Sequence, residues 1–108
     1  MPFDALDVSL ELVSALREPV ARLERSDADL ARQLRRAVTS TCLCLSEGRL
    51  REGRDRRHLF RVAAGSAAEV ATALSVAEAW GYIGAAELAR ARSLVDRLRA
   101  MLWRLVHG

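Results

Sequence analysis

The chain of 108 residues is long enough for one domain, predicted over residues 1–108, and its 51% hydrophobic and 29% charged residues exclude a disordered tail and a membrane-embedded protein. With 19 Ala and 17 Leu against two Pro and six Gly, the composition predicts helices and excludes a β-barrel, a Rossmann enzyme and a disulfide scaffold. The basic residues are 17 Arg and no Lys, the net charge is +3, and the excess is concentrated over residues 35–61, where eight Arg accompany three acids.

The first helix is predicted from about Asp4 to Arg25, because apolar residues recur there at spacings of three or four. Pro19 lies inside this segment. Since proline removes a backbone hydrogen bond from a helix interior, we expect a kink or a break near Leu16–Arg17.

A second helix is predicted from about Asp27 to Glu47, where an acid-rich start resembles a cap followed by a first turn. Gly48 is expected to stop it. Residues 49–52 are too short and too polar for an element of their own, so they are predicted to form a basic connection.

The third helix is predicted from Arg54 or Asp55 to Trp80 and carries two apolar rows. They are Leu59, Ala63, Ser66, Val70, Ala73, Ala77 and Trp80, and beside them Phe60, Ala64, Ala67, Ala71 and Leu74. A simple bundle needs one row, so the second predicts that identical copies associate to cover it. Gly65-Ser66 costs about 1 kcal/mol of helix propensity relative to Ala, which favours a tight helix crossing at that point.

Gly81 fits the left-handed position that ends a helix, with Tyr82 and Ile83 folding back onto the last turn. A fourth helix follows from about Ala85. Its apolar stripe is Leu88, Ala91, Val95, Leu98, Leu102 and Leu105. Four helices with short connections predict an all-α, antiparallel up-down-up-down four-helix bundle.

Catalytic signatures, including a glycine-rich phosphate loop, a nucleophile elbow and a metal-ligand motif, do not occur in the sequence. We therefore predict a noncatalytic protein with no metal and no cofactor. Cys42 and Cys44 are too close on a helix for an unstrained disulfide and are expected to be reduced, with packing as their main role. Reduced cysteines, an acidic start and no run of 18 apolar residues favour the cytoplasm and no membrane association.

The Arg-rich segment is the most suggestive candidate site. Its predicted nucleic-acid ligands are Arg35, Arg36, Arg49, Arg51, Arg54, Arg56, Arg57 and Arg61. Guanidinium groups neutralise phosphates, which favours nonspecific contact with RNA or DNA. Glu52 and Asp55 dilute the charge, and no aromatic residues are interleaved for base stacking, so a solvated cluster or an oligomer contact stays an alternative.

Two carboxylates within tightly packed segments need partners if they are buried. Glu47 is expected at a helix end, paired with Arg49 or Arg51. Glu69 is expected in an interhelical salt bridge or in solvent.

The last helix is amphipathic, as membrane-surface helices are. This is a weaker interpretation, because its apolar stripe is suited to packing against three companion helices.

Several short motifs stand out between residues 35 and 83. They are Arg35-Arg36-Ala37-Val38, Ser46-Glu47-Gly48, Phe60, Ala64-Gly65-Ser66, Glu69, Leu74, Ala77 and Gly81-Tyr82-Ile83. Together they resemble the pattern of the four-helix-bundle proteins encoded by intervening sequences of bacterial 23S ribosomal RNA genes. The resemblance implies a left-handed up-down-up-down bundle that assembles into a homo-oligomeric ring, a pentamer in relatives. The chain is also similar to the accessory protein of diversity-generating retroelements, a basic pentamer that binds a reverse transcriptase and nucleic acid.

The chain departs from this family at the end of the second helix. The family has Asn two residues before an Ala-Glu-Gly ending and Pro two residues before that Asn, whereas this chain has Cys44 and Cys42 and replaces the Ala by Ser46. A role that depends on the Asn amide is therefore not expected here.

The leading functional hypothesis is a noncatalytic oligomeric scaffold that contacts nucleic acid or an acidic protein through its arginines. The first alternative is a small all-α enzyme, in the manner of helical chorismate mutases, in which Arg and Glu from separate helices converge in an apolar pocket around a dianionic metabolite. The second is a purely self-assembling structural protein.

Overall fold

The computed structural model describes residues 4–108, and the first three residues of the predicted domain lie outside it. Over the described range the chain forms four helices and no strand. They are α1 (Asp4–Ser26), α2 (Ala28–Gly48), α3 (Gly53–Ala79) and α4 (Ala85–His107). All four predicted helices are confirmed, with ends within one or two residues of the prediction.

The helices surround one hydrophobic core in a body of 42 × 22 × 20 Å. Helix α1 packs against α2 and α4, and α3 packs against the same two, so the contacts form a closed cycle. Leucines from α1, α2 and α4 fill the centre with no solvent exposure: Leu12, Leu23, Leu45, Leu88, Leu98 and Leu102. Each fully buried Leu contributes about 1.5–3 kcal/mol, so the apolar stripes account for the association of the helices.

The sequence predicted a kink or a break near Leu16–Arg17. Helix α1 continues through Pro19 without interruption, so a break there is wrong. The turns on both sides of the proline are held in the core by Leu16, Val20 and Leu23, all nearly or fully buried. Their burial offsets the loss of one backbone hydrogen bond.

Asp27 caps α2, as the acid-rich start predicted. Its backbone is extended, with φ −153° and ψ 91°, and its side chain accepts a hydrogen bond from the Leu30 N–H at 3.0 Å. Such a bond satisfies one of the donors that a helix N-terminus leaves unpaired.

Gly48 is the last residue of α2 and is needed for packing. A Cβ atom there would lie 2.7 Å from Cε1 and 2.9 Å from Cδ1 of the buried Phe60 ring. The helix continues through Gly48, which does not adopt the left-handed conformation, and Arg49 is the C-cap. The absence of a side chain therefore lets the end of α2 press against the start of α3.

The α3–α4 connection confirms the prediction for Gly81, which has φ +79°. The Gly81 N–H donates to the Glu78 carbonyl at 2.9 Å, and the Tyr82 N–H donates to the Ala77 carbonyl at 3.0 Å. These two bonds form a Schellman motif, and Ile83 is buried beyond it.

The apolar rows of α3 are mostly covered within the chain, which contradicts the argument that the second row needs another copy. Phe60, Ala67 and Leu74 of the second row are buried, and Ala64 and Ala71 are packed against the core. Trp80, assigned to the first row, is instead exposed. The buried face of α3 is wider than one row of residues, because its small alanine side chains let both α2 and α4 pack closely against it.

The expected tight crossing at Gly65 is also wrong. Gly65 is exposed, and a Cβ atom there would meet nothing within 4 Å. Its neighbour Ser66 is the residue that links helices, because its hydroxyl lies 3.0 Å from the Ser40 hydroxyl of α2.

By length and composition alone, α3 is also apolar enough to cross a membrane, with a mean hydropathy of 1.3 over its most apolar 18 residues. A core helix of a bundle meets the same criterion, and α3 packs its apolar residues into the core of this bundle.

The two cysteines of α2 are free thiols, as predicted, with Cys42 buried and Cys44 half-buried.

Candidate nucleic-acid interface

The connection between α2 and α3 is a series of tight turns that presents arginine side chains to solvent. The Leu50 N–H donates to the Glu47 carbonyl and the Arg51 N–H to the Gly48 carbonyl, each at 3.1 Å. Gly53 then reverses the chain with φ +59°, a conformation that non-glycine residues rarely adopt. The predicted basic connection over residues 49–52 is confirmed.

Arg56 has a structural position within this segment. Its Nε donates to the Gly48 carbonyl at 3.3 Å and its Nη2 to the Arg49 carbonyl at 3.0 Å. Carbonyls at a helix C-terminus lack intrahelical partners and carry partial negative charge, so a guanidinium is a favourable cap there. Arg56 therefore fixes the connection and has fewer donors left for a ligand.

Two other predicted ligands are held by acidic neighbours. Arg51 pairs with Glu47 at 2.9 Å, which confirms one of the two partners predicted for that carboxylate, and Arg35 pairs with Glu24 of α1 at 3.1 Å. Both pairs are about half exposed, so each adds little stability. They do neutralise the charge that a polyanion would meet.

The side chains of the remaining five predicted ligands are exposed and make no hydrogen bond or ion pair within residues 4–108. They are Arg36, Arg49, Arg54, Arg57 and Arg61. Spacings of three and four residues place Arg54, Arg57 and Arg61 on one face of α3. Arg49 lies in the adjoining connection.

The eight arginines do not form one surface. Arg35 and Arg36 precede Gly48 by 13 and 12 residues on α2, a distance of about 18–20 Å along the helix. Arg36 lines a groove between α2 and α3 with Ser40, Ser66 and Glu69. Glu69 makes no ion pair in the described chain and is exposed, which selects the solvated alternative predicted for it.

Sequence reasoning missed a second group, on α4. Arg99, Trp103 and His107 line a groove between α3 and α4 together with Arg61. The Trp103 and His107 rings stack, with centroids 4.4 Å apart and planes 19° from parallel. Their spacing of four residues was the available signal, since it places all three α4 residues on one helix face.

The enzymatic alternative requires Arg and Glu from separate helices to converge in an apolar pocket, and the predicted arginines do not do so. Every predicted arginine is exposed. Arg22 of α1 and Glu87 of α4 do converge, but they form an ion pair in an open polar groove. Within the described part of the chain, no three His, Cys, Asp or Glu side chains are placed to hold a metal ion.

Comparison with known proteins identifies the family. The family model described as 23S rRNA-intervening sequence protein matches residues 3–104. The chain belongs to this family. No curated protein sequence matches it.

A solved structure supports the same fold. It is the crystal structure of a protein of unknown function from the S23 ribosomal protein family of Bacteroides thetaiotaomicron VPI-5482, with a TM-score of 0.85 and 18% sequence identity. The alignment covers 96% of this chain and 99% of that one. At this identity the likeness concerns the fold.

Proposed function

We propose that this protein is a noncatalytic, self-associating helical bundle of the cytoplasm that contacts nucleic acid through the end where α2 passes into α3. One observation carries the proposal: Arg49, Arg54, Arg57 and Arg61 are exposed at that end without acidic partners among the described residues. Unpaired guanidinium groups on one face suit the phosphates of a polyanion. The free thiols of Cys42 and Cys44 agree with a reducing compartment.

The helices are inferred to alternate in direction along the chain, up-down-up-down. The connections contain one, four and five residues, lengths that join neighbouring antiparallel helices. The closed cycle of contacts, in which each helix packs against its sequence neighbours and α1 packs against α4, supports the same order.

Self-association into a ring is proposed from surface that the bundle leaves uncovered. Leu43 on α2 and Val62 and Val76 on α3 are exposed apolar side chains, with Leu43 64% accessible. Gly65 is exposed on α3, and a Cβ atom there would meet nothing within 4 Å among the described residues, which leaves room for a close neighbour. The family resemblance implies a pentamer, and light scattering that finds a lone protomer at micromolar concentration would remove this part of the proposal.

Gly65→Ala is a second test of association. In an isolated chain the added methyl group meets nothing and should stabilise α3 by about 0.5–1 kcal/mol. If a second copy packs at this point, the same methyl group should lower the particle mass. Thermal melts combined with light scattering separate the two results, and a more stable chain of unchanged mass would place any interface elsewhere.

Nucleic-acid contact is tested by fluorescence anisotropy with a labelled 20-nucleotide strand. If four guanidinium groups each neutralise one phosphate, raising monovalent salt from about 50 to about 200 mM should weaken binding about 50-fold. No binding at 50 mM salt would refute nucleic-acid contact. The particle would then fit the structural alternative, a protein whose partner is itself.

A matched pair of triple variants shows whether position matters beyond net charge. Arg54→Gln/Arg57→Gln/Arg61→Gln should reduce the affinity more than tenfold and flatten its salt dependence. Arg17→Gln/Arg25→Gln/Arg90→Gln removes three exposed arginines from other surfaces, none of which forms an ion pair within the described chain, and should have a small effect. Equal losses would mean that binding follows net charge alone.

A further inference from the structure

The groove between the start of α3 and the end of α4 combines aromatic, apolar and cationic side chains. Its lining consists of Arg61, Ala64, Arg99, Trp103, Val106 and His107. The groove holds about 200 Å³ and is open to solvent. Pockets that enclose drug-sized ligands hold about 300–1,000 Å³, so this one suits a single flat ring system that remains partly in water.

Trp103 is an exposed aromatic group in the groove, with 62% of its surface accessible. The ring is also held in place, because it stacks on His107, whose Nδ1 lies 2.9 Å from the Trp103 carbonyl oxygen. An indole that is both accessible and ordered loses little conformational freedom when another flat ring stacks on it.

The charge around this indole is positive. The guanidinium groups of Arg61 and Arg99 make no ion pair or hydrogen bond within the described chain. Farther along the same two helices, Arg92 of α4 is neutralised by Glu78 of α3 at 2.6 Å. Unlike Arg92, the two arginines beside Trp103 are therefore not neutralised by an acidic partner among residues 4–108.

We propose that this groove binds a nucleobase of single-stranded nucleic acid, with the base stacked on Trp103 and the flanking phosphates on Arg61 and Arg99. The inference rests on the proposed function and adds a strand preference to it. Phosphate contacts alone do not distinguish a single strand from a duplex. Stacking does, because bases of a single strand can lie flat on an aromatic ring, whereas those of a duplex are already stacked on each other.

The competing occupant is a second copy of the chain. Asp4, Asp7 and Glu11 are exposed on α1, lack ion pairs among residues 4–108, and share one helix face. They are complementary in charge to the groove but offer no aromatic ring to Trp103. We favour a nucleobase for this reason, and the assay below measures both occupants.

Two labelled ligands with equal numbers of phosphates separate stacking from charge. One is a 12-nucleotide oligothymidine, and the other is a 12-unit abasic strand with tetrahydrofuran in place of each nucleoside. At about 50 mM salt the wild-type protein should bind oligothymidine about tenfold more tightly than the abasic strand, the effect of one stacked base. A 12-base-pair duplex should bind no more tightly than the abasic strand.

The chain supplies a matched control in its other tryptophan. Trp80 is 69% exposed and stacks on Tyr82, but it belongs to the α3–α4 connection. Trp103→Ala should reduce oligothymidine binding to the abasic level, while Trp80→Ala should keep the tenfold preference. Both side chains are exposed, so circular dichroism should show the wild-type helix content in each variant.

The outcomes distinguish this inference from the broader proposal. Equal affinity of the wild-type protein for the two strands would overturn the stacking site and leave nucleic-acid contact in place. Equal effects of Trp103→Ala and Trp80→Ala would overturn it too. A fall in particle mass on Trp103→Ala, without loss of the tenfold preference, would assign the groove to a second copy. Absence of binding to either strand would refute the broader proposal.

Discussion

The two ends of the α3–α4 pair use the same kinds of residue with opposite results. Where α3 passes into α4, Trp80 stacks on Tyr82, and Arg92 is bound to Glu78 at 2.6 Å and to the Ser75 hydroxyl at 3.4 Å. At the other end, Trp103 stacks on His107 beside Arg61 and Arg99, which have no acidic partner in the described chain. At each end, therefore, an exposed tryptophan stacks on the ring of a neighbouring side chain.

The difference lies in where the acids are placed. A half-exposed ion pair adds at most about 1 kcal/mol to stability, so pairing Arg92 matters little for folding. It matters more for recognition, since a neutralised guanidinium releases no counterions when a phosphate approaches. We therefore expect the two aromatic surfaces to differ in their affinity for an anion.

The two ends of α3 depend on glycine for different reasons: Gly48 makes room for a neighbouring ring, and Gly81 adopts a positive φ. The largest loss of stability is expected from Gly48→Ala. The new methyl group would collide with the Phe60 ring, and overpacking of this kind should cost about 2 kcal/mol, or about 10 °C in Tm. Gly81→Ala meets no neighbour but must adopt φ +79°, which should cost about 1 kcal/mol. Thermal melts of the two variants measure the difference, and a larger loss for Gly81→Ala would contradict it.

A second experiment compares the arginines of the two ends. Arg61→Ala/Arg99→Ala should weaken binding of a single-stranded 12-mer about 10- to 30-fold and lower the salt slope by about 1.4, or 0.7 for each lost phosphate contact. Its stability should stay near that of the wild type, since neither side chain has an ion-pair partner among residues 4–108. Binding that withstands the double substitution would place the phosphates elsewhere.

The control at the opposite end is Arg92→Ala. It removes the contacts to Glu78 and Ser75, so it should lower the free energy of unfolding by less than about 1 kcal/mol. The affinity for the strand should change less than twofold. A loss of affinity comparable to that of the double variant would mean that the two ends do not differ in function.

The smallest effect is expected from Asp96→Asn. Asp96 is exposed one turn before Arg99 on α4 and makes no ion pair with any described residue. Its negative charge opposes an approaching phosphate. Its neutralisation should raise the affinity about twofold. Glu18→Gln on α1 makes the same change in net charge at a distant site, and an equal gain from that variant would show a general charge effect.

The helices and their caps were predictable because the signals are local. Apolar spacing of three and four residues placed the helices, Asp27 marked the start of α2, and Gly81 marked the end of α3. Each signal depends on residues within about one turn of each other, and the structure confirms all of them.

Features that depend on neighbouring helices were not predictable from spacing. Glu24 of α1 neutralises Arg35 of α2, and the meeting of Arg61 with Trp103 depends on how α3 and α4 pack. The same limit explains the wrong prediction of a tight helix crossing at Gly65. The cost of glycine to helix propensity can be read from the sequence, but whether another helix packs there cannot, and no described helix does.

All basic residues of the chain other than its histidines are arginines, and Arg56 has a structural role that lysine could not fill. Its planar, forked head spans two successive carbonyl groups at the end of α2. A lysine would supply a single ammonium on a flexible stem, which matches one acceptor well but not two fixed ones. Exchanging this arginine for lysine would preserve the charge, but the first turn of α3 would lose its alignment, and the guanidinium groups that project from it would spread over a wider range of directions.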